Sequence, residues 1–162
     1  MKQATLCLLL KEDSTGKEIL LAMKKRGFGV GKWNGVGGKL DPKKGDRSLV
    51  DTAVRETAEE IGVKVKEMEK VALLKFRFPY KNEWNQNVHV FMVHRWEGEP
   101  IETEEMYPQW FKINDVPFDL MWADDEIWFP QVLQGKKLRG DFRFRPGEVI
   151  DDYKIKVTRG FN

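Results

Sequence analysis

Between Asp46 and Gly62 the positions Leu49, Val50, Ala53, Val54, Thr57 and Ile61 recur at three- and four-residue steps, the period of a helix buried along one side. Asp46 has the chemistry of a helix N-cap and Gly62 that of the left-handed residue just past a helix end. This helix divides the chain. Before it, residues 4–10 and 18–23 are short apolar runs separated by EDSTGK, and they predict two strands. After it, residues 71–78, 87–93 and 109–113 predict further strands. ADDEIWFPQVLQGK predicts a second helix opened by Asp124 or Asp125 and made irregular by Pro130. FRFR and VIDDYKIKV predict a terminal hairpin across Pro146-Gly147. Strands surround two helices without a βαβ repeat, so the expected architecture is a mixed α/β sandwich rather than a doubly wound sheet.

The 162 residues suit one domain with one core, and neither a linker nor an internal repeat interrupts them. No apolar run is long enough to span a bilayer, and the apolar stretch near the N-terminus is too short for a signal sequence, so the expected compartment is the cytoplasm. Cys7 has no partner for an internal disulfide and reads as a buried thiol. His89 and His94 lack further ligands at zinc spacing. The formal net charge of +2 leaves nucleic acid undecided; no membrane or stable nucleic-acid partner is expected, and the chain is expected to act as a monomer.

Charge is concentrated locally. Glu56, Glu59 and Glu60 fall on one predicted helix face, opposite the apolar stripe. Spacing alone leaves two readings open. One is a solvated face with Arg55–Glu59 and Glu60–Lys64 pairs; the other is a cradle for a hard divalent cation. Just before the helix, residues 27–46 hold seven glycines, and residues 23–32 carry Lys24, Lys25, Arg26 and Lys32. A backbone suited to anions next to carboxylates suited to cations favours a site for phosphate plus metal. The glycines do not form a dinucleotide fingerprint, because no helix follows them directly.

Here the residues carry a resemblance. Gly38 followed by RETAEEIGV, with Arg55, Glu56, Glu59, Glu60, Gly62 and Val63 in register, resembles the signature of the Nudix hydrolases. The interval from Gly38 to Arg55 is 17 residues where the family has 14, so LDPKKGD holds a three-residue insertion. The family's first glutamate then falls on Arg47, or on Asp46 with a shift of one, leaving an auxiliary carboxylate missing or shortened. The resemblance implies a Nudix fold, an α/β/α sandwich with a C-terminal β-hairpin. It also implies hydrolysis assisted by Mg²⁺, with Mn²⁺ as a substitute. The implied catalytic residues are Glu56, Glu59, Glu60, Arg55 and Glu105, and the implied metal site comprises Gly38, Glu56, Glu59, Glu60 and Glu105.

Longer stretches, among them MKKRGFGVGKWNGVGGK, EEMYPQWF and VPFDLMWADDEIWFP, are similar to MutT-like members of the family that act on oxidised purine nucleoside triphosphates. That similarity implies Asn34, Asp124 and Asp125 as readers of a base edge and Trp122 as a stacking platform. Thr5, Phe28, Phe76, Phe78, Trp128 and Lys24 are implied as pocket residues, with Gln86 standing where the family members have methionine. From residue types alone, Trp33, Trp122 and Trp128 fit an aromatic core better than a base pocket, and both readings stay open. Adjacent carboxyls in an aromatic pocket resist joint ionisation, so one of Asp124 and Asp125 is expected to keep a proton. The expected substrate is a purine nucleoside triphosphate such as 8-oxo-dGTP or 2-hydroxy-dATP. The alternatives are another nucleoside diphosphate derivative, such as a nucleotide sugar, a dinucleotide polyphosphate or capped RNA, and a non-catalytic nucleotide-binding module.

Overall fold

The computed structural model describes residues 1–161. Two strands open the chain, β1 (Lys2–Asp13) and β2 (Gly16–Lys24), joined by the predicted turn, and a two-residue strand β3 (Trp33–Asn34) follows the glycine-rich loop. Helix α1 (Leu49–Ile61) leads into β4 (Lys64–Arg77), β5 (Gln86–Glu97) and β6 (Met106–Lys112); helix α2 (Asp125–Leu133) precedes the hairpin β7 (Lys137–Arg145) and β8 (Val149–Thr158). The strands form one mixed sheet in the order β3-β2-β1-β5-β4-β7-β8, with β6 pairing β2. Contacts β1–β5 and β4–β7 are parallel, while β1–β2, β4–β5 and β7–β8 are antiparallel. The C-terminal hairpin therefore extends the sheet as expected.

Alternation along the strands separates two cores. Ala4, Leu8, Leu74, Val88, Val90, Leu138 and Phe142 face one side with Trp128, Phe129 and Val132 of α2. Cys7, Leu9, Phe91 and Val93 face the other with Ala53 and Ile61 of α1. This is the expected sandwich, with each helix over a different face of the sheet. Cys7 is buried, and its thiol is pushed up to about 12 by desolvation, so it is an inert packing residue.

Three local expectations change. Helix α1 is capped by Ser48, whose Oγ accepts from the Asp51 amide at 3.2 Å, not by Asp46. Gly62 does end it, at φ 71°. Helix α2 continues through Pro130, which has no amide to donate within the helix. Asp124 occupies the N-cap position of α2 without capping it, since its carboxylate is engaged elsewhere.

Candidate active site

The glycine-rich segment is strapped to the sheet. Beside the N-terminal half of β1, Thr5 N–H donates to Gly38 O at 2.9 Å, while Cys7 and Val36 exchange backbone bonds of 2.6 and 3.1 Å. Two glycines are dictated by this closeness. A Cβ on Gly37 would lie 2.0 Å from the Thr5 carbonyl oxygen, and one on Gly38 would lie 2.4 Å from the Glu56 carboxyl carbon. The strap thus brings residues 37–39 against the carboxylate face of α1.

That face is only partly solvated. Glu60 is 4% exposed, and its Oε2 accepts from the Gly37 amide at 3.1 Å. Burial pushes its carboxyl up to about 8, with Glu56 and Glu105 adding like-charge repulsion. The Glu60–Lys64 pair does not form; Glu60 faces the interior instead. Glu56, half-buried, is also raised by desolvation, and Arg55 opposes the shift. Arg55 gathers the rest. Its Nη1 donates to Glu56 Oε1 at 3.0 Å and to the more exposed Glu59 Oε2 at 3.2 Å. Glu105 lies across the site beside Arg26, at 3.4 Å. Each carboxylate has an N–H or cationic partner, Glu56 and Glu59 sharing Arg55, and among the described residues no three acidic, histidine or cysteine side chains converge into a metal shell. The Gly38 carbonyl is engaged by Thr5, so the direct role the structure gives Gly38 is to leave room for Glu56.

Asp46, where the family's first carboxylate would fall with a shift of one, is buried and paired with Arg55. Asp41 caps a short turn, Pro42–Lys44, which Gly45 ends at φ 93°, and the chain returns with Asp46 N–H donating to Asp41 O at 3.4 Å. Asp46 then forms a fork with Arg55: Nε to Oδ1 at 2.8 Å and Nη2 to Oδ2 at 2.7 Å. Thr52 Oγ1 and the Asp41 amide also donate to Asp46 Oδ2, each at 2.9 Å. These bonds hold its carboxyl well below the usual range. The inserted residues form a compact loop that delivers this side chain.

Beside the carboxylates opens a cavity of about 210 Å³. Every base-pocket residue expected from the sequence lines it: Thr5, Lys24, Phe28, Asn34, Phe76, Phe78, Gln86, Trp122, Asp124, Asp125 and Trp128. Trp33 does not. On β3 the two residues alternate, so Trp33 packs edge-on against Phe111 at 5.0 Å while Asn34 faces the cavity. Asn34 Oδ1 accepts from Gly35 N–H at 2.9 Å, which leaves its amide N–H groups to point at a ligand. Phe28 lies against Trp122 with centroids 5.2 Å apart and meets Trp84 edge-on at 4.9 Å.

Asp124 and Asp125 are 4% and 2% exposed. Trp128 Nε1 donates to Asp124 Oδ2 at 2.7 Å, whereas Asp125 Oδ2 is buried without a partner. Desolvation pushes Asp124 up to about 6, and desolvation plus repulsion from Asp124 raises Asp125 well above the ordinary range. Both shifts disfavour joint ionisation of the pair, and the stronger disfavour falls on Asp125, whose Oδ2 has no partner. Sequence reasoning missed Lys32, Lys39 and Phe144, which also line the cavity. Lys32 was visible only as part of the charge concentrated in residues 23–32, and Lys39 carried no such signal.

The carboxylate helix, the glycine strap and the mixed sheet define a Nudix domain, and the family's model matches residues 1–132. The chain belongs to the Nudix family. It is 41% identical to the mouse oxidized purine nucleoside triphosphate hydrolase over 157 residues, covering 97% of this chain and 96% of the relative. It is 46% identical to the zebrafish protein of the same name over 137 residues, 85% of each. The crystal structure of a MutT protein from Bacillus halodurans superposes with a TM-score of 0.79 at 28% identity, covering 96% of this chain and 97% of that one. Nudix hydrolases generally use divalent cations. Among the described residues no helix is long and apolar enough to cross a membrane.

Proposed function

We propose that the chain is a magnesium-dependent pyrophosphohydrolase that converts oxidised purine nucleoside triphosphates, of the 8-oxo-dGTP and 2-hydroxy-dATP kind, to the monophosphate and pyrophosphate. One observation carries this reading: an aromatic cavity holding two adjacent buried carboxyls opens beside the glutamate-bearing face of α1. The names borne by the mouse and zebrafish relatives support it.

A base stacks on Trp122 between the phenylalanine walls. The Asn34 amide donates to it, the ionised Asp124 accepts from a ring N–H, and the protonated Asp125 donates. Because the proton can change places within the carboxyl pair, one cavity can present two donor and acceptor patterns, suiting either an 8-oxo or a 2-hydroxy purine. Lys24, at the cavity wall, meets the phosphates.

The donor set fits a hard divalent cation. Glu60 is buried with one N–H partner and next to like charges, the Gly38 cradle holds Glu56 close, and Glu59 and Glu105 are exposed enough to leave Arg55 and Arg26 for a ligand position. Magnesium, or manganese in its place, would neutralise phosphate oxygens there and activate water for in-line attack at phosphorus. Glu56 is the base candidate, since burial raises its carboxyl and it remains within the cluster. Arg55 orients Glu56 and Glu59 and is itself held by Asp46.

The test is a panel of normal and oxidised nucleoside triphosphates, nucleotide sugars and capped RNA incubated with Mg²⁺, with monophosphate and pyrophosphate measured. Preferential release from oxidised purines is expected. Release from none would leave a binding module, and release without preference would remove the base specificity.

A further inference from the structure

Among the described residues, Glu148 is the one non-glycine residue with positive φ, at 62°. It follows Gly147, at φ 87°, in the turn between β7 and β8. A glutamate in the left-handed region is disfavoured by contact between its Cβ and the backbone, and such conformations persist where the surroundings over-determine them. What Glu148 gains is visible across the cavity mouth: its Oε2 lies 2.9 Å from Lys32 Nζ. The lysine is not a free surface cation. Its side chain is 27% exposed, its ammonium stands 5.2 Å from the centroid of the Trp122 indole, and it lines the base cavity. Its backbone is held as well, with Lys24 N–H donating to Lys32 O at 3.1 Å and Lys32 N–H donating to Gly29 O at 3.1 Å.

We propose that Lys32, anchored by Glu148, is a specificity-determining residue of the base cavity that tunes the Trp122 stacking surface toward electron-rich, oxygen-bearing purines. The inference deepens the oxidised-purine reading of this cavity and rests on it. A cation over an indole draws π density toward itself, so a base laid against the ring meets a less negative surface. A purine enriched by an added oxygen gains more from that surface than an unmodified one. An isolated exposed pair between lysine and glutamate would contribute little. This pair is distinguished by the indole beside it and by the backbone conformation that supplies its carboxylate. Lys32 also acts electrostatically on Asp125, favouring the ionised form against burial and Asp124.

The experiment measures calorimetric binding of 8-oxo-dGMP and dGMP, without metal, to the wild type and to Lys32→Met, Lys32→Arg and Glu148→Gly, with the melting temperature of each. For Lys32→Met we expect binding of 8-oxo-dGMP to weaken about three- to tenfold and that of dGMP to change less, so the preference narrows. Lys32→Arg should restore most of it. Glu148→Gly relieves the strained backbone, so it should melt no lower than the wild type and still bind 8-oxo-dGMP more weakly, a combination that a purely structural role would not give. A wild-type preference preserved in Lys32→Met, or unchanged binding by Glu148→Gly, overturns the proposal while leaving the substrate reading intact. No preference in the wild type itself overturns both, by failure of the substrate reading.

Discussion

Trp128 donates its indole N–H to Asp124 at 2.7 Å, one helical turn along α2, and leaves the neighbouring Asp125 without a partner for Oδ2. The asymmetry assigns the two carboxyls different work. In the proposed reading Asp124 offers an acceptor to a base, whereas Asp125, with its carboxyl raised, presents one donor and one acceptor as an amide does. Asp124→Asn is therefore expected to lower kcat/KM for 8-oxo-dGTP by about 30- to 100-fold, the effect of a mismatched buried polar contact. Asp125→Asn should cost several-fold less at pH 7. Steady-state kinetics on both variants checks the order; equal losses would remove the distinction.

The fork between Arg55 and Asp46 gives a second expectation. With Asp46→Ala, Arg55 loses both bonds of the fork, and stability should fall by about 3 kcal/mol, measured by urea unfolding. Turnover should fall beyond the effect of instability, because Arg55 no longer orients Glu56 and Glu59. The acid response follows from the lowered carboxyl. The stabilisation it provides is present above the ordinary carboxyl pKa near 4 and is lost only as pH drops through the lower folded value. The wild type should gain relative to Asp46→Ala as pH rises from strong acid to about 5.

Above neutrality the sign reverses. Glu60, raised to about 8, and Asp125, raised well above the ordinary range, bind protons in the folded state that the unfolded chain has released. Their contribution is present in full below the unfolded values and falls as pH rises through the folded ones. His89, lowered to about 4 by burial and Lys70, opposes them only between about 4 and 6.5. Metal-free protein should thus lose melting temperature from pH 6.5 to 9, and Glu60→Gln should flatten that slope. Added Mg²⁺ should raise the melting temperature most at the alkaline end; no such gain would count against a metal at Glu60.

The two strap glycines should fail differently. A Cβ on Gly37 meets the backbone oxygen of Thr5 at 2.0 Å, so Gly37→Ala must move β1 and is expected to destabilise the fold strongly. A Cβ on Gly38 meets only the end of the Glu56 side chain. Gly38→Ala should keep most of the stability and lose about 100-fold or more in kcat by displacing Glu56. Thermal melts paired with turnover separate the two outcomes.

What the sequence determined by itself was local or strongly patterned. The three-to-four-residue period produced α1, Gly62 ended it, alternation produced the strands, and RETAEEIGV with Trp122, Asp124 and Asp125 marked the candidate site. These signals depend on residues close in the chain, where side-chain period and backbone preference act directly. Tertiary structure alone decided which polar groups would be buried and with whom. Spacing placed Glu60 on one face with Glu56 and Glu59, either solvated or a cation cradle, and the glycine strap covers it while Glu59 stays exposed. Asp46 looked like a cap, yet the inserted turn presents it to Arg55 while Ser48 caps the helix. Trp33 turned toward the core and Asn34 toward the cavity once β3 paired with β2. Lys32 met Glu148, 116 positions away, only because the hairpin returns across the mouth of the cavity. Burial and partner choice depend on which distant segments close on one another, and no short-range period in the chain records that.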